Sequence, residues 1–222
     1  MPDPARFELF AFWRSSAVYR VRVALNLKGL HADERYTDLD AGDQRAPAFL
    51  AVNPMGAIPA LFDRELPGPA ITQSIAILEY LDEIQPSPPL LPGDLAGRAR
   101  VRSLAAMLYA DTHPMVVPRM RRYLTTNVGF DDAAWRAWQT QWFTTGLQAV
   151  EQRLTSEPGA GAFCHGDSIT LADICLASIV VVTRVFRIDV PDIPTVTRIM
   201  RTCEEHGAFA RAAPSRQPGA PA

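Results

Sequence analysis

Residues 7–29 have the sequence FELFAFWRSSAVYRVRVALNLKG, and the architecture of the first domain can be inferred from them. Phe7 to Phe12 is a short, aromatic-rich run, which is typical of a β-strand. Ser15 and Ser16 then open a helical segment, which one or the other of them caps, and Gly29 is a stop signal after apolar residues at helical spacing. The stretch therefore predicts a strand that leads directly into a helix.

The alternation of strands and helices continues to residue 84. A second strand is predicted at Glu34 to Leu39, and a third starts at Ile58 after a turn at Asn53–Gly56. A short strand at Ala70–Ile71 then leads into a helix from Gln73 to about Ile84. This order predicts an α/β domain over residues 1–84, a thioredoxin-like layer of the βαβββα type.

The rest of the chain is predicted to be a separate, all-helical domain. Residues 85–94, QPSPPLLPGD, carry four prolines in ten residues and are typical of a linker. Residues 95–222 form the helical domain, in which Thr170–Asp173 is a variant of a structural capping box. Its last ten residues are a Pro/Ala-rich tail with no core-forming content. Amphipathic helices are predicted at about 95–125, 131–155, 171–186 and 193–206.

Composition excludes several classes of protein. The chain has 222 residues, 48% of them hydrophobic, which excludes disorder as the main state. The formal net charge of −2 leaves no basic excess for nucleic acid or an anionic membrane. No Cys/His cluster suggests a metal, since Cys164, Cys175 and Cys203 are widely spaced.

We expect a cytoplasmic location. An odd number of cysteines without a pattern fits a reducing compartment. The N-terminal MPDPARFELFAF has no long apolar stretch behind a basic region, so no signal peptide is predicted. The longest apolar run, residues 171–182, is interrupted by Asp173 and is too short to span a bilayer.

The start of the first helix is the first candidate site. A helix N-terminus offers unpaired N–H groups and a partial positive charge, which stabilise an anion such as a thiolate. A redox protein with this layout has a cysteine there, whereas this chain has Ser15, Ser16 and Ala17. The chain therefore has no nucleophile of its own at this point. A serine hydroxyl can cap the helix and donate to a ligand sulfur at the same time.

Two further motifs are expected near that helix start. A cis proline at Ile58–Pro59 would turn the backbone edge towards a peptide-like ligand, while the alternative is an ordinary proline at a strand start. Gln73 and Ser74 open the next helix and supply an amide, a hydroxyl and N–H groups that suit a ligand carboxylate. Together with Ser15 and Ser16, these motifs indicate a short anionic peptide that carries a thiol.

The stretch WRSSAVYRVRVALNLKG resembles the signature of zeta-class glutathione transferases, in which two serines precede a cysteine and an R-V-R-I-A-L helix. Five further segments resemble blocks of the same family: NPMGAIPAL, QSIAILEYLDE, LLPGD, GDSITLADICL and FRIDVPDIP. The similarity covers about residues 7–218. The family includes maleylacetoacetate and maleylpyruvate isomerases. The resemblance implies a glutathione transferase fold, a homodimer and glutathione as cofactor.

The resemblance also implies roles for individual residues. Ser15 and Ser16 would contact the sulfur of glutathione, and Gln44 would reach its glycyl end. Ile58 with Pro59 would hold the cysteinyl backbone, and Gln73 with Ser74 the γ-glutamyl end. In the helical domain, Asp111–Pro114 is similar to a D-x-H-P stretch of bacterial maleylpyruvate isomerases. His113 would then bind glutathione or substrate, or relay a proton.

Arginines are the candidate ligands of an acidic substrate. Arg14 and Arg119 are the best placed to bind its carboxylates through charge-assisted pairs. Arg122 shares a helix face with Arg119, a kind of face that is usually solvated, and Arg121 is expected to be solvated. Three departures from the family pattern leave that substrate open. Ala17 replaces the usual cysteine, Val117 with Pro118 replaces polar and basic residues, and Val185 replaces an arginine, although Arg184 is adjacent.

Three hypotheses for function follow. The first is glutathione-dependent cis–trans isomerisation of a maleyl diacid, maleylpyruvate or maleylacetoacetate, to the fumaryl product by reversible thiolate addition. The second is a glutathione transferase or dehalogenase that acts on a small electrophile such as a haloacid. The third is a non-catalytic association module, which has no need of Ser15, Ser16, Gln73 and Ser74.

Overall fold

In the computed structural model, which describes residues 5–221, the chain divides into two units. One unit extends to Pro89 and includes the segment from His206 onward, and the other spans Leu90–Glu205. Residues 1–4 and 222, which the sequence prediction assigned to the first domain and to the tail, lie outside the described residues.

The first unit has a sheet of four strands and three helices along the chain up to residue 84. In order, they are β1 (Phe7–Ala11), α1 (Ser16–Lys28), β2 (Ala32–Tyr36), the single turn α2 (Pro47–Leu50), β3 (Ala60–Asp63), β4 (Ile71–Thr72) and α3 (Ser74–Ile84). Ser15 caps α1 and Gly29 ends it in the left-handed region, at φ 66°, as predicted. The predicted thioredoxin-like layer is confirmed.

The register of the sheet brings four chain segments to one edge. The strand order is β2-β1-β3-β4, and β1 is parallel to β2 and antiparallel to β3. Ala11 pairs with Tyr36 at the ends of β1 and β2, while Ala60 at the start of β3 pairs with both Phe10 and Thr72. The segments that follow β1, β2 and β4 and the segment that precedes β3 therefore meet at the same edge.

The predicted strands have different bounds in the structure. The first ends at Ala11 and not at Phe12, and the fourth is Ile71–Thr72 and not Ala70–Ile71. The second, predicted at Glu34 to Leu39, spans Ala32–Tyr36, and it is a mostly exposed edge strand of the sheet. The third begins at Ala60 and not at Ile58. The reason is chemical, since Pro59 has no N–H with which to join the ladder.

The second unit consists of helices. They are α4 (Leu95–Ala106), α5 (Pro118–Tyr123), α6 (Asp132–Ser156), α7 (Leu171–Val185) and α8 (Pro194–Glu205). The prediction of one helix over about 95–125 is wrong. After α4 the chain forms a wide π-helical turn at Met107–Thr112 and a tight turn at His113–Val116, and Val117 is extended. Pro114 and Pro118 cause the break, because neither has an N–H and the residue before a proline disfavours helix.

Buried carboxylates cap two of these helices. The predicted capping box of α7 is confirmed, because Asp173 Oδ2 accepts from the Thr170 N–H at 2.8 Å and from its hydroxyl at 2.7 Å. Glu151, in the middle of α6, accepts hydrogen bonds from the N–H groups of Thr195 and Val196 at 2.9 and 2.7 Å. It thereby fixes the first turn of α8 against α6.

The C-terminal segment belongs to the first unit, in contrast to its predicted place in the helical domain. A further helix, α9 (Gly207–Ala212), packs on α1, with Phe209 buried and Asn26 Nδ2 donating to the Ala208 carbonyl at 2.9 Å. The tail was predicted to lack core content, but Pro214 is buried. Phe209 lies just before this tail, and its buried aromatic side chain anchors the C-terminal segment on α1.

Candidate functional site

Most of the residues predicted to bind a ligand lie at one edge of the sheet. Ser15 and Ser16 follow β1, Pro59 precedes β3, and Gln73 follows β4. Gln44 follows β2, and its backbone carbonyl oxygen lies about 3.0 Å from where a Cβ on Gly56 would be. We call this set, completed by Arg14, Ile58 and Ser74, the binding edge.

Ser15 is the N-cap of α1. Its Oγ accepts a hydrogen bond from the Val18 N–H at 3.3 Å, so its own hydroxyl proton can be donated elsewhere. Ser16 is the first residue of the helix and is buried. The capping role predicted for Ser15 or Ser16 is confirmed for Ser15. The same turn presents the N–H groups and partial positive charge that stabilise an anion.

Arg14 is engaged in this structure. Its Nη2 donates to Asp40 Oδ1, and its guanidinium lies over the rings of Phe12 and Trp13, 5.4 and 5.5 Å from their centroids. A substrate carboxylate at Arg14 would therefore share the guanidinium with Asp40.

Gln44 presents an unsatisfied group at the binding edge. It lies in the tight turn Asp43–Arg45, only 4% of it is exposed, and its Oε1 is buried with no hydrogen-bond partner in the described part of the chain. A buried acceptor without a donor costs free energy. An N–H group of a peptide-like ligand is the kind of donor that would satisfy it.

The turn before β3 ends at Ile58 and Pro59, which are joined by a cis peptide bond. Asn53 shapes this turn, because its Nδ2 donates to the Ala57 carbonyl at 2.5 Å and its Oδ1 accepts from the Met55 N–H at 3.1 Å. Ladder pairing of β3 begins at Ala60, so the backbone of Ile58 lies outside the sheet.

Gln73 and Ser74 lie at the start of α3. Gln73 has a positive φ of 68°, which is uncommon for a residue with a side chain, and Ser74 is the first helical residue. Ser74 Oγ accepts a hydrogen bond from Arg20 Nε at 3.0 Å, and both residues are buried. Sequence reasoning missed Arg20. The available signal was a charged residue within a helix whose other residues are mostly apolar.

The remaining candidates lie in the helical unit. His113 is half-buried and begins the tight turn that follows the π-helical turn. Arg119 is exposed on α5, and its neighbour Arg121 pairs with Asp132 at 2.8 Å. Arg184 Nη1 pairs with Glu204 on α8, so the arginine adjacent to Val185 is already bound to a carboxylate.

The chain offers no activated thiol of its own. Cys164, Cys175 and Cys203 are all buried in the helical unit. Burial raises the pKa of Cys164 well above its ordinary value and raises the pKa of Cys203 as well. Within residues 5–221, no group of three or more His, Cys, Asp or Glu side chains could hold a metal ion, and no helix is long and apolar enough to cross a membrane.

Comparisons with known proteins agree with this geometry. Residues 5–83 match the model of the glutathione S-transferase N-terminal domain. The chain is 40% identical to a maleylpyruvate isomerase of a Ralstonia species, covering 95% of this chain and 98% of that protein. It is 41% identical to a maleylacetoacetate isomerase of Rhizobium meliloti, covering 94% and 96%.

Solved structures give the same result. A maleylacetoacetate isomerase from Methylobacterium extorquens AM1, with bound malonate and glutathione, is 50% identical, with a TM-score of 0.94 over 97% of this chain and 100% of that one. A holo maleylpyruvate isomerase, described as a bacterial zeta-class glutathione S-transferase, is 39% identical, with a TM-score of 0.91 over 96% and 100%. The fold is therefore that of a glutathione S-transferase. Within that class, the chain belongs to the zeta-class family of maleylacetoacetate and maleylpyruvate isomerases.

Proposed function

We propose that this enzyme catalyses the glutathione-dependent cis–trans isomerisation of a maleyl diacid, maleylpyruvate or maleylacetoacetate, to its fumaryl product. The observation that carries this proposal is similarity of about 40% identity over almost the whole chain to isomerases of both substrates. The structure of a relative with bound malonate and glutathione supports a diacid substrate.

The binding edge fits glutathione. The partnerless Oε1 of Gln44 suits an N–H at the glycyl end, and the backbone of Ile58 before Pro59 suits the cysteinyl backbone. Gln73 and Ser74, at the N-terminus of α3, would hold the γ-glutamyl end. Glutathione, when bound, supplies a thiolate that adds reversibly to the conjugated carbon–carbon double bond of the diacid. That bond is a single bond until the thiolate leaves, and rotation about it is then possible.

The residues of the chain stabilise the charges of this reaction. The hydroxyls of Ser15 and Ser16 and the N–H groups of α1 would hold the sulfur as an anion. Arg14 and Arg119 would bind the carboxylates of the diacid through charge-assisted hydrogen bonds. His113 would bind glutathione or substrate, or relay the proton that the glutathione thiol gives up and takes back.

The decisive experiment follows the absorbance of maleylpyruvate and of maleylacetoacetate with and without glutathione. Rapid, glutathione-dependent formation of a fumaryl product is the expected result and identifies the substrate. Inactivity on both would contradict the proposal. Inactivity of an enzyme that still binds glutathione would favour a transferase or dehalogenase. The pairing of Arg184 with Glu204 and the presence of Val117 and Val185 point in that same direction.

We also propose that the protein is a cytoplasmic homodimer. The family resemblance supports the dimer, and the three buried cysteines, none of which forms a disulfide, fit a reducing compartment. Light scattering of the purified protein should give about twice the 24.4 kDa of one chain. A mass of one chain at micromolar concentration would contradict the dimer.

A further inference from the structure

Arg20 is a buried cation that is hydrogen-bonded to Ser74, a residue predicted to bind glutathione. We propose that Arg20 is a positioning residue for the γ-glutamyl carboxylate of glutathione, because it holds Ser74 so that the serine hydroxyl donates to that carboxylate. This inference rests on the proposed use of glutathione and adds a residue that does not touch the ligand itself.

The hydrogen bond between the two residues has only one possible direction. Arg20 Nε lies 3.0 Å from Ser74 Oγ, and a guanidinium can only donate, so the hydroxyl is the acceptor. The hydroxyl proton is then available to another acceptor. The first turn of α3 presents N–H donors and not acceptors, so a carboxylate arriving there is a suitable partner.

Burial strengthens the effect. Arg20 is 2% exposed and Ser74 is 6% exposed, so their hydrogen bond is little weakened by water. The positive charge of Arg20 and the N-terminus of α3 add to each other at Ser74. A hydroxyl that accepts from a cation is also a better donor, because hydrogen bonds in a chain polarise one another. All three effects favour an anionic ligand group.

Arg22, two residues further along α1, provides a contrast. It is equally buried, at 5% exposed, but its Nε and Nη2 donate to the two carboxylate oxygens of Glu34 in β2 at 2.6 and 2.7 Å. That pair joins a helix to a strand. Arg22 Nη1 also donates to the carbonyls of Phe12 and Trp13, at 3.4 and 3.5 Å. Arg20 Nε donates to the Ser74 hydroxyl, which these hydrogen bonds of Arg22 do not reach, and Arg22 is therefore the matched control.

The test compares two ligands by titration calorimetry. One is glutathione, and the other is the analogue in which γ-aminobutyrate replaces the γ-glutamyl residue, so that only the α-carboxylate is missing. For Arg20→Met, we expect the dissociation constant of glutathione to rise about tenfold and that of the analogue to change less than about twofold. Arg20→Lys, which keeps the charge, should restore part of the preference for glutathione.

Three controls separate positioning from folding. Arg22→Met should lower the melting temperature but keep the wild-type ratio of the two dissociation constants. Ser74→Ala and the double variant with Arg20→Met should lose about the same preference, because both act on one hydrogen bond. In turnover, Arg20→Met should raise KM for glutathione and change kcat by less than about twofold.

Some results would overturn the inference. A ratio of the two dissociation constants that is unchanged in Arg20→Met and Arg20→Lys would overturn the proposed role of Arg20. An equal loss of affinity for both ligands would do the same. Either result leaves the proposed use of glutathione unaffected. A wild-type protein that does not bind glutathione overturns the proposed function and this inference together.

Discussion

Gly146 in α6 packs directly against Thr112. A Cβ at position 146 would lie 2.1 Å from Thr112 Oγ1, which leaves no room for a side chain there. Thr112 ends the π-helical turn, where its Oγ1 donates to the Met107 carbonyl at 2.7 Å. His113 is the next residue, so this contact lies directly before the turn that carries the histidine.

The first prediction concerns this contact. In an ordinary helix, Gly146→Ala would stabilise the protein by about 0.5–1 kcal/mol, because alanine favours helix. Here we expect the opposite sign, a loss of about 1–3 kcal/mol from overpacking, measured by urea unfolding. Adding Thr112→Ala should recover part of the loss, because the nearest clashing atoms are removed. A stabilised Gly146→Ala variant would contradict the close packing.

The second prediction concerns Ser15. Ser15→Ala removes the N-cap of α1 and should cost about 1 kcal/mol of folding free energy. It should also raise the pKa of the thiol of bound glutathione, measured by the ultraviolet absorbance of the thiolate against pH. Asp131→Ala removes the N-cap of α6 and is the control, with a similar loss of stability and no change in thiol pKa. An unchanged thiol pKa in Ser15→Ala would leave Ser15 as a cap only.

Much of the first unit could be predicted because its signals are local. Ser15 and Gly29 bound α1 by capping chemistry, and the periodicity between them defines the helix. The box at Thr170 and Asp173 was recognisable for the same reason. Local patterns also led to the binding edge, whose segments meet through the register of strands that the sequence predicted only approximately.

The features that were missed depend on contacts between distant residues. Arg20 meets Ser74 across 54 positions, and Asn26 meets Ala208 across 182, so no local window contains either pair. The break at Val117 was visible in Pro114 and Pro118, but the amphipathic pattern around it favoured a continuous helix. The pairings of Arg14 with Asp40 and of Arg184 with Glu204 could likewise not be inferred from spacing.

The third prediction concerns the acid stability of the first unit. Hydrogen bonds from Arg6 lower the pKa of Asp63 from 3.8 to about 2, the Tyr80 hydroxyl and the Glu65 N–H act in the same direction, and burial opposes them. A lowered pKa in the folded state stabilises the protein above the unfolded pKa, and the stabilisation is lost as the pH falls towards 2.

Asp63→Asn tests this pH dependence. At neutral pH we expect the variant to be about 2 kcal/mol less stable than wild type, and the gap should close between pH 3.8 and about 2. Urea unfolding at a series of pH values measures it. Asp132→Asn, at an exposed pair with Arg121, is the control and should change stability little at any pH. A gap that is constant with pH would show that packing, not charge, explains the loss.

The last prediction separates substrate binding from the chemistry of the thiolate. Arg119 is exposed on α5 and has no part in the binding edge, so its removal should leave glutathione affinity unchanged. If its guanidinium binds a substrate carboxylate, Arg119→Ala should lower kcat/KM for the maleyl diacid about tenfold or more. Activity towards a neutral electrophile such as chlorodinitrobenzene should stay within about twofold, because that substrate has no carboxylate to bind.

The matched control is Arg122→Ala, which removes another exposed arginine of the same helix and should affect neither activity. An equal loss for the diacid and the neutral electrophile would mean that Arg119 supports the fold or the thiolate, and the carboxylate would then have to be bound by Arg14 in competition with Asp40.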